Sequence, residues 1–367
     1  MSLKPKQPLA PVEPGWKVMR KTIRGVHRNR ALLRAVNTTV RVRKLNVPEG
    51  KTFSENYLIS SDRGVFALQK GEMFQLTDVD TFGIAVCHGE LFAACSNDDF
   101  SSVGKCAFSL PLLPNASLKF TEIFRTPINK KGRIHQINFY HDTLAVTLTA
   151  ENSIAFLNPS SGEILSECSP FRDGFGAAIG GDHNHINSLS QCGESLLFCA
   201  YKAGTGALIG IISGKRVQGY PVKNKGAHDV YISGRTLFYS DTFGAMFGEG
   251  RSECGFLMSN NQPVDEMFFN QPPGFAIRGI CQRGEEMIVG HSHKGPRSKR
   301  FAGNGALLRI VKDKVVQTLT VPFAQVYDIV GLDGQHFDAP PAFQTWDETN
   351  AFLESVLGAP IYSRTLD

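Results

Sequence analysis

His135-Gln-Ile-Asn-Phe139, Leu144-Ala-Val-Thr147, Ser153-Ile-Ala-Phe-Leu157 and Glu163-Ile-Leu-Ser166 follow one another closely as four runs of strand length. The breaks between them include His141-Asp142 and Pro159-Ser-Ser-Gly162, which suit tight hairpin turns. Two hairpins in series make one four-stranded antiparallel unit.

The unit recurs. A polar or aromatic residue introduces an apolar run, and a second run starts nine positions later. Phe82-Gly-Ile-Ala-Val leads to Leu91, His135 to Leu144, His228-Asp-Val-Tyr-Ile to Leu237, and Arg278-Gly-Ile-Cys to Met287. His185-Ile-Asn-Ser-Leu leads to Leu196 with two extra residues, and a last copy begins at Tyr327-Asp-Ile-Val. Second hairpins follow, as in Ala207-Leu-Ile-Gly-Ile-Ile to Arg216-Val-Gln, Ala306-Leu-Leu-Arg-Ile-Val to Val315-Val-Gln, and Cys254-Gly-Phe-Leu-Met to Glu266-Met-Phe-Phe. Spacings of 50 from His135 to His185, 43 to His228 and 50 to Arg278 suit propeller blades and exceed leucine-rich or ankyrin periods.

The copy at Tyr327 lacks a second hairpin, whereas Asn56-Tyr-Leu-Ile-Ser and Gly64-Val-Phe-Ala-Leu lack an inner strand before them. Joining the two ends completes a blade and removes exposed edges. The chain is therefore expected to be all-β, a single propeller of six four-stranded blades over 45–338. A basic tail, 1–44, precedes it, and an extension, 339–367, follows. In that extension Thr345-Trp-Asp-Glu348 is a capping-box sequence opening a helix.

Composition agrees. Hydrophobic residues make up 42%, with 26 Phe for the core, and 36 Gly and 19 Pro are scattered as turns require. No run of 18 apolar residues suggests a membrane helix, and the first residues lack an apolar leader, so a cytoplasmic location is expected. Eight cysteines never form a Cys-x-x-Cys pair and lie mostly in apolar runs, which reads as buried thiols rather than a zinc site. Residues 1–44 hold twelve Lys or Arg against Glu13 alone, so the rest of the chain carries −6. Trp16 to Val36 can be drawn as an amphipathic helix. Such a segment suits an acidic partner, an anionic lipid surface or its own propeller; without interleaved aromatics it does not argue for nucleic acid. The glycine-rich Gly174–Gly180 lacks the strand and helix of a dinucleotide site, and Lys294–Arg300 is a basic loop.

Inner strands of a propeller begin around one common mouth. Phe82, His135, His185 with Asn187, His228, Arg278 and Tyr327 then share that mouth, and convergent polar groups there mark a candidate site. Asp182 and Asp229 are candidates to orient His185 and His228, the alternative for Asp229 being that it points the other way, since it directly follows His228 in a strand.

Asp182-His-Asn-His185-Ile-Asn187-Ser-Leu, followed by Leu196-Leu-Phe, resembles the Asp-x-x-His-x-Asn-Ser blade signature of arylsulfotransferase-type propellers. His228-Asp-Val with Leu237-Phe-Tyr-Ser-Asp241 resembles a second blade of that group, and an uncharacterised bacterial propeller family is similar too. The match covers residues 182–241. It implies a channel in which His and Arg handle sulfuryl transfer through a covalent His; Arg278 stands where that group has a later histidine.

Three functions fit. In the first, Arg278 binds a small anion while His185 or His228 acts as nucleophile or acid/base, with His135, Asn187, Tyr327, Asp182 and Asp229 around the ligand. In the second, His135, His185 and His228 hold a metal for a lyase or hydrolase, with His291 and His293 as further candidates. In the third, the propeller binds a glycan, peptide or protein without catalysis. The sequence names no cofactor.

Overall fold

The computed structural model describes residues 39–46, 53, 56–96, 100–126, 134–171, 182–201, 206–222, 226–242, 256–264, 275–293, 301, 303–312 and 314–366. The expected helix at 16–36, the glycine-rich 174–180, the basic loop 294–300 and the run 266–269 lie outside the described residues.

Two short strands, Thr39–Arg41 (β1) and Arg43–Leu45 (β2), come first, followed by Tyr57–Ser61 (β3), Gly64–Gln69 (β4) and Glu72–Gln75 (β5). The next blade holds Thr81–Cys87 (β6), Glu90–Ser96 (β7), Ser101–Ala107 (β8) and Thr121–Arg125 (β10), with Ser117–Lys119 (β9) paired to β1. Ile137–Tyr140 (β11), Thr143–Leu148 (β12), Ser153–Leu157 (β13) and Ile164–Cys168 (β14) form the unit read first from the sequence. Ser188–Cys192 (β15), Ser195–Tyr201 (β16), Ala207–Ser213 (β17) and Arg216–Val222 (β18) form the next. Then come Ala227–Ser233 (β19), Thr236–Asp241 (β20), Phe256–Ser259 (β21) and Gln262–Pro263 (β22). Phe275–Arg283 (β23), Glu286–His293 (β24), Ala306–Val311 (β25) and Lys314–Thr320 (β26) make the following sheet. The last inner strand, Val326–Gly331 (β27), pairs antiparallel with β3 and completes the order β2-β5-β4-β3-β27. Six small sheets thus form a six-bladed β-propeller whose ring is closed by joining the two ends of the chain.

One hairpin differs from its sequence reading. The outer strand after β21 starts at Gln262, with only two residues between it and Ser259, because Asn260 and Asn261 both adopt positive φ and make a tight turn. Residues 39–45, counted with the basic segment from composition, are strands laid on the propeller, and Lys44 pairs with Glu72.

Apolar side chains alternate across each strand, so both faces of a blade are covered by its neighbours. Ala85, Phe92, Ile137 and Val146 pack between the blades of β6 and β11. Ala145, Ile154, Leu189 and Phe198 do the same one junction on, and Leu58, Ala67, Ile84 and Leu91 where the ring closes. The core is therefore a set of wedges between blades rather than one central mass.

The helix α1 (Trp346–Leu357) opens on the capping box expected from sequence: Thr345 accepts from the Glu348 N–H, and the Glu348 carboxylate accepts from the Thr345 N–H. It buries Trp346, Thr349 and Leu353, and Tyr362–Thr365 (β28) then adds a fifth strand to β18.

Gly83 shows how tightly inner strands approach. A Cβ there would lie 2.7 Å from both Gln136 Cα and the Ile137 nitrogen, which are backbone atoms of the next blade. Gly83→Ala is expected to cost about 1–3 kcal/mol in urea unfolding, because backbone cannot step aside as a side-chain tip can. Unfolding indistinguishable from wild type would contradict this packing.

Candidate functional site

The leading residues of the six inner strands meet one another in a closed circuit. Phe82 stacks on Tyr327 with centroids 4.4 Å apart and meets the edge of His135 at 5.2 Å. His135 meets His185 at 4.6 Å, and Tyr201 bridges His185 at 4.3 Å to His228 at 5.6 Å. Arg278 Nη2 lies 2.8 Å from His228 Nε2, and its guanidinium lies 5.9 Å from the Tyr327 ring, which returns the circuit to its start.

Local backbone explains the convergence. Four inner strands carry a β-bulge at the mouth, between Thr81 and Gly83, His228 and Tyr231, Arg278 and Ile280, and Val326 and Asp328. A bulge re-aims a side chain and ends regular pairing. His185 reaches the circuit differently: it precedes β15, at φ 42°.

The electrostatics divide the circuit into two pairs. A guanidinium only donates, so His228 Nε2 accepts from Arg278 and the imidazole proton sits on Nδ1. Nδ1–H then donates to the Gly226 carbonyl at 2.9 Å, with the Thr242 hydroxyl 2.8 Å away. Burial, with the Arg278 charge added to it, holds His228 well below the usual histidine range, so it is neutral. Arg278 is half-buried, and among the described residues its guanidinium contacts His228 and Tyr327 but no carboxylate. In the second pair, Asp182 Oδ1 lies 2.7 Å from His185 Nδ1; the imidazole is buried and the carboxylate is exposed.

Asp229 does not touch His228. At φ 54° it turns inward, where Oδ2 accepts from the Ser240 hydroxyl at 2.7 Å and the Gly279 N–H at 2.9 Å. Burial pushes its carboxyl up to about 6 against the Ser240 hydrogen bond. Asn187 Nδ2 donates to the Ala227 carbonyl at 3.1 Å, which ties it to the next blade. The three histidines offered as metal ligands, His135, His185 and His228, all lie in the circuit. Tyr201 stands between the second and third rings, and among the described residues no three His, Cys, Asp or Glu side chains are placed to hold a metal. His291 and His293 lie on β24, paired with Ile277 and Phe275. None of the seven described cysteines is in a disulfide, and burial pushes Cys106 up to about 12, which opposes thiolate chemistry there.

No family model matches the sequence, and no curated protein matches it. The fold is similar to a chain in the crystal structure of a nidogen/laminin complex, with a TM-score of 0.52 at 10% identity over 76% of this chain and 98% of that one. It is also similar to a protein of unknown function from Bacteroides caccae, with a TM-score of 0.50 at 12% identity over 75% and 98%. At such identities the likeness concerns architecture alone. The resemblance to arylsulfotransferase-type propellers gains support only at the level of the propeller fold. Among the described residues no helix is long and apolar enough to cross a membrane.

Apart from Asp229, sequence reading missed the layer one residue past Phe82, His135, Asn187, His228, Arg278 and Tyr327: Gly83, Gln136, Ser188, Asp229, Gly279 and Asp328, all buried. Gln136 Oε1 accepts from the Leu189 N–H at 2.6 Å, Ser188 from Val230 at 3.4 Å, Asp229 from Gly279 at 2.9 Å, and Asp328 from Ile84 at 3.5 Å. Each acceptor serves the next blade. The two glycines stand where the next strand comes close instead, a Cβ on Gly279 falling 2.9 Å from the Ile329 side chain and 3.2 Å from the Asp328–Ile329 backbone. The repeat alignment offset by one position carried this signal.

Neutral burial of His228 has a pH consequence. Its folded pKa lies below the unfolded value of about 6.5, so its share of stability is complete above that pH and is lost on acidification. In urea unfolding between about pH 7.5 and 5.5, wild type should lose about 1 kcal/mol more than His228→Asn. Parallel losses in the two proteins would show that His228 is solvated.

Proposed function

We propose that the mouth circuit binds a small oxyanion, held by Arg278 and flanked by His228, Tyr327 and the Asp182–His185 pair. The carrying observation is a half-buried guanidinium with no carboxylate partner among the described residues. Such a charge is costly to desolvate, and a sulfate, phosphate or carboxylate would supply the missing counter-charge through charge-assisted hydrogen bonds. A neutral His228 beside it keeps one fixed positive charge rather than two, and the stacked Phe82 and Tyr327 rings exclude water from one side.

His185, oriented by Asp182, is the group best set for acid/base or nucleophilic work on that anion. His228 is less so, because its Nε2 lone pair is engaged by Arg278. Sulfuryl-type group transfer is the reaction this reading extends to; turnover of aryl sulfates or aryl phosphates that His185→Gln abolishes would support it.

Binding is tested by titrating sulfate, phosphate and acetate at constant ionic strength while following Tm. An anion present at about 100 Kd stabilises by about 2.7 kcal/mol, equivalent to a few degrees for a chain of this size. Arg278→Gln is expected to abolish the shift. An equal shift in that variant, or none in wild type, overturns the reading.

A further inference from the structure

The end of the propeller opposite the mouth circuit carries a second concavity, of about 500 Å³. Its walls come from the far ends of the inner strands: Ala85 to Cys87, Asn138 with Phe139, Ser190 with Gln191, Tyr231 with Ile232, and Arg283. These residues lie three to six positions beyond the leading residues, roughly 10–20 Å along a strand. The buried layer from Gly83 to Asp328 stands between the two ends.

One wall is the segment 333–341, which follows β27 and is firmly seated. Arg283 pairs with both Asp333 and Asp338 and donates to the Gln335 carbonyl at 2.7 Å. Asp338 accepts from the Gly284 N–H, and Gly234 exchanges hydrogen bonds with Pro340 and Ala342. Beneath it, His336 is buried with Nε2 3.0 Å from Asp328 Oδ1, and its ring stacks on Tyr231 at 4.4 Å. Phe337 packs against Tyr231 and Phe238 at 5.3 and 5.4 Å.

The chemistry of this cleft is the reverse of the mouth. Its guanidinium is held between two carboxylates, so no positive charge is left to attract an anion. What the cleft offers is planar polar groups, namely the Asn138 and Gln335 amides and the exposed Asp333 carboxylate, beside the apolar surface of Phe139, Phe337 and Pro340. The amides give and take hydrogen bonds from hydroxyls, the carboxylate accepts them, and apolar faces accept the C–H side of a ring. A charged phosphate or nucleotide would meet net negative charge here; a neutral ligand rich in hydroxyls meets partners for both of its faces. We propose that this cleft is a second binding site, separate from the mouth, for a neutral sugar of one or two rings.

The proposal does not depend on Arg278. Its test is saturation-transfer NMR on the full chain with glucose, galactose, mannose, maltose and cellobiose at about 10 mM, well above a millimolar Kd. At least one sugar is expected to bind. Gln335→Ala should weaken it about tenfold, and Ala339→Trp, placed at an exposed lining position, should fill the cleft and abolish binding. Arg278→Gln should leave sugar binding unchanged even where anion stabilisation is lost. No binding by any sugar, binding that survives Ala339→Trp, or binding of the cation putrescine in place of sugars overturns the proposal.

Discussion

Hydrogen bonds from one blade to the backbone of the next hold the inner strands of this propeller in place, and the rest of the structure depends on them. At each of the six junctions a small buried polar group near the mouth meets backbone entering the following inner strand. Ser60 donates to the Phe82 carbonyl, Thr149 to Ile186, Asn187 to Ala227, Thr242 to Ile277 and Ser292 to Val326, while Ser101 accepts from the Ile134 N–H. A second set, from Gln136, Ser188, Asp229 and Asp328, lies one layer deeper. Buried backbone groups at strand starts and bulges must find partners, and here the neighbouring blade supplies them. Apolar wedges give the blades a reason to pack, but they slide easily. The polar contacts set the register between blades.

That register fixes the mouth. Because each inner strand is pinned at its start, the residue at or next to the pin is delivered to the mouth in each blade. Phe82, His135, His185, His228, Arg278 and Tyr327 therefore form one circuit, with Tyr201 bridging His185 to His228, although they lie far apart along the chain. The far ends diverge into a cleft whose charges are already paired. One architecture thus presents two ends of different electrostatic character: among the described residues Arg278 at one end touches no carboxylate, while Arg283 at the other is held between two.

Much of this was legible in the repeats. Period-two apolar runs and the offset of nine positions located the inner hairpins, and the unmatched ends at 56–69 and 327–331 announced the closing blade. The same alignment brought the mouth residues together by name. What escaped it depends on backbone conformation that side-chain pattern does not encode. Asp229 reads as a partner for His228, yet its positive φ turns it toward Ser240 and Gly279. Tyr201, which stands between two histidines, looks like the unremarkable end of an apolar strand. The wall at 333–341 has no repeat counterpart, and only the pairing of Arg283 with Asp333 and Asp338 explains its course.

The inter-blade contacts can be read directly by hydrogen exchange at the Gly279 amide. Gly279 is the extra residue between Arg278 and Ile280, so its N–H is outside the ladder to β24 and is held by Asp229 of the preceding blade. Site-resolved exchange measured by NMR should show this amide opening only with global unfolding, as slowly as Ile280 and Val289 beside it. Exchange within minutes at Gly279, with Ile280 and Val289 still protected, would show that the blades are not joined in this way.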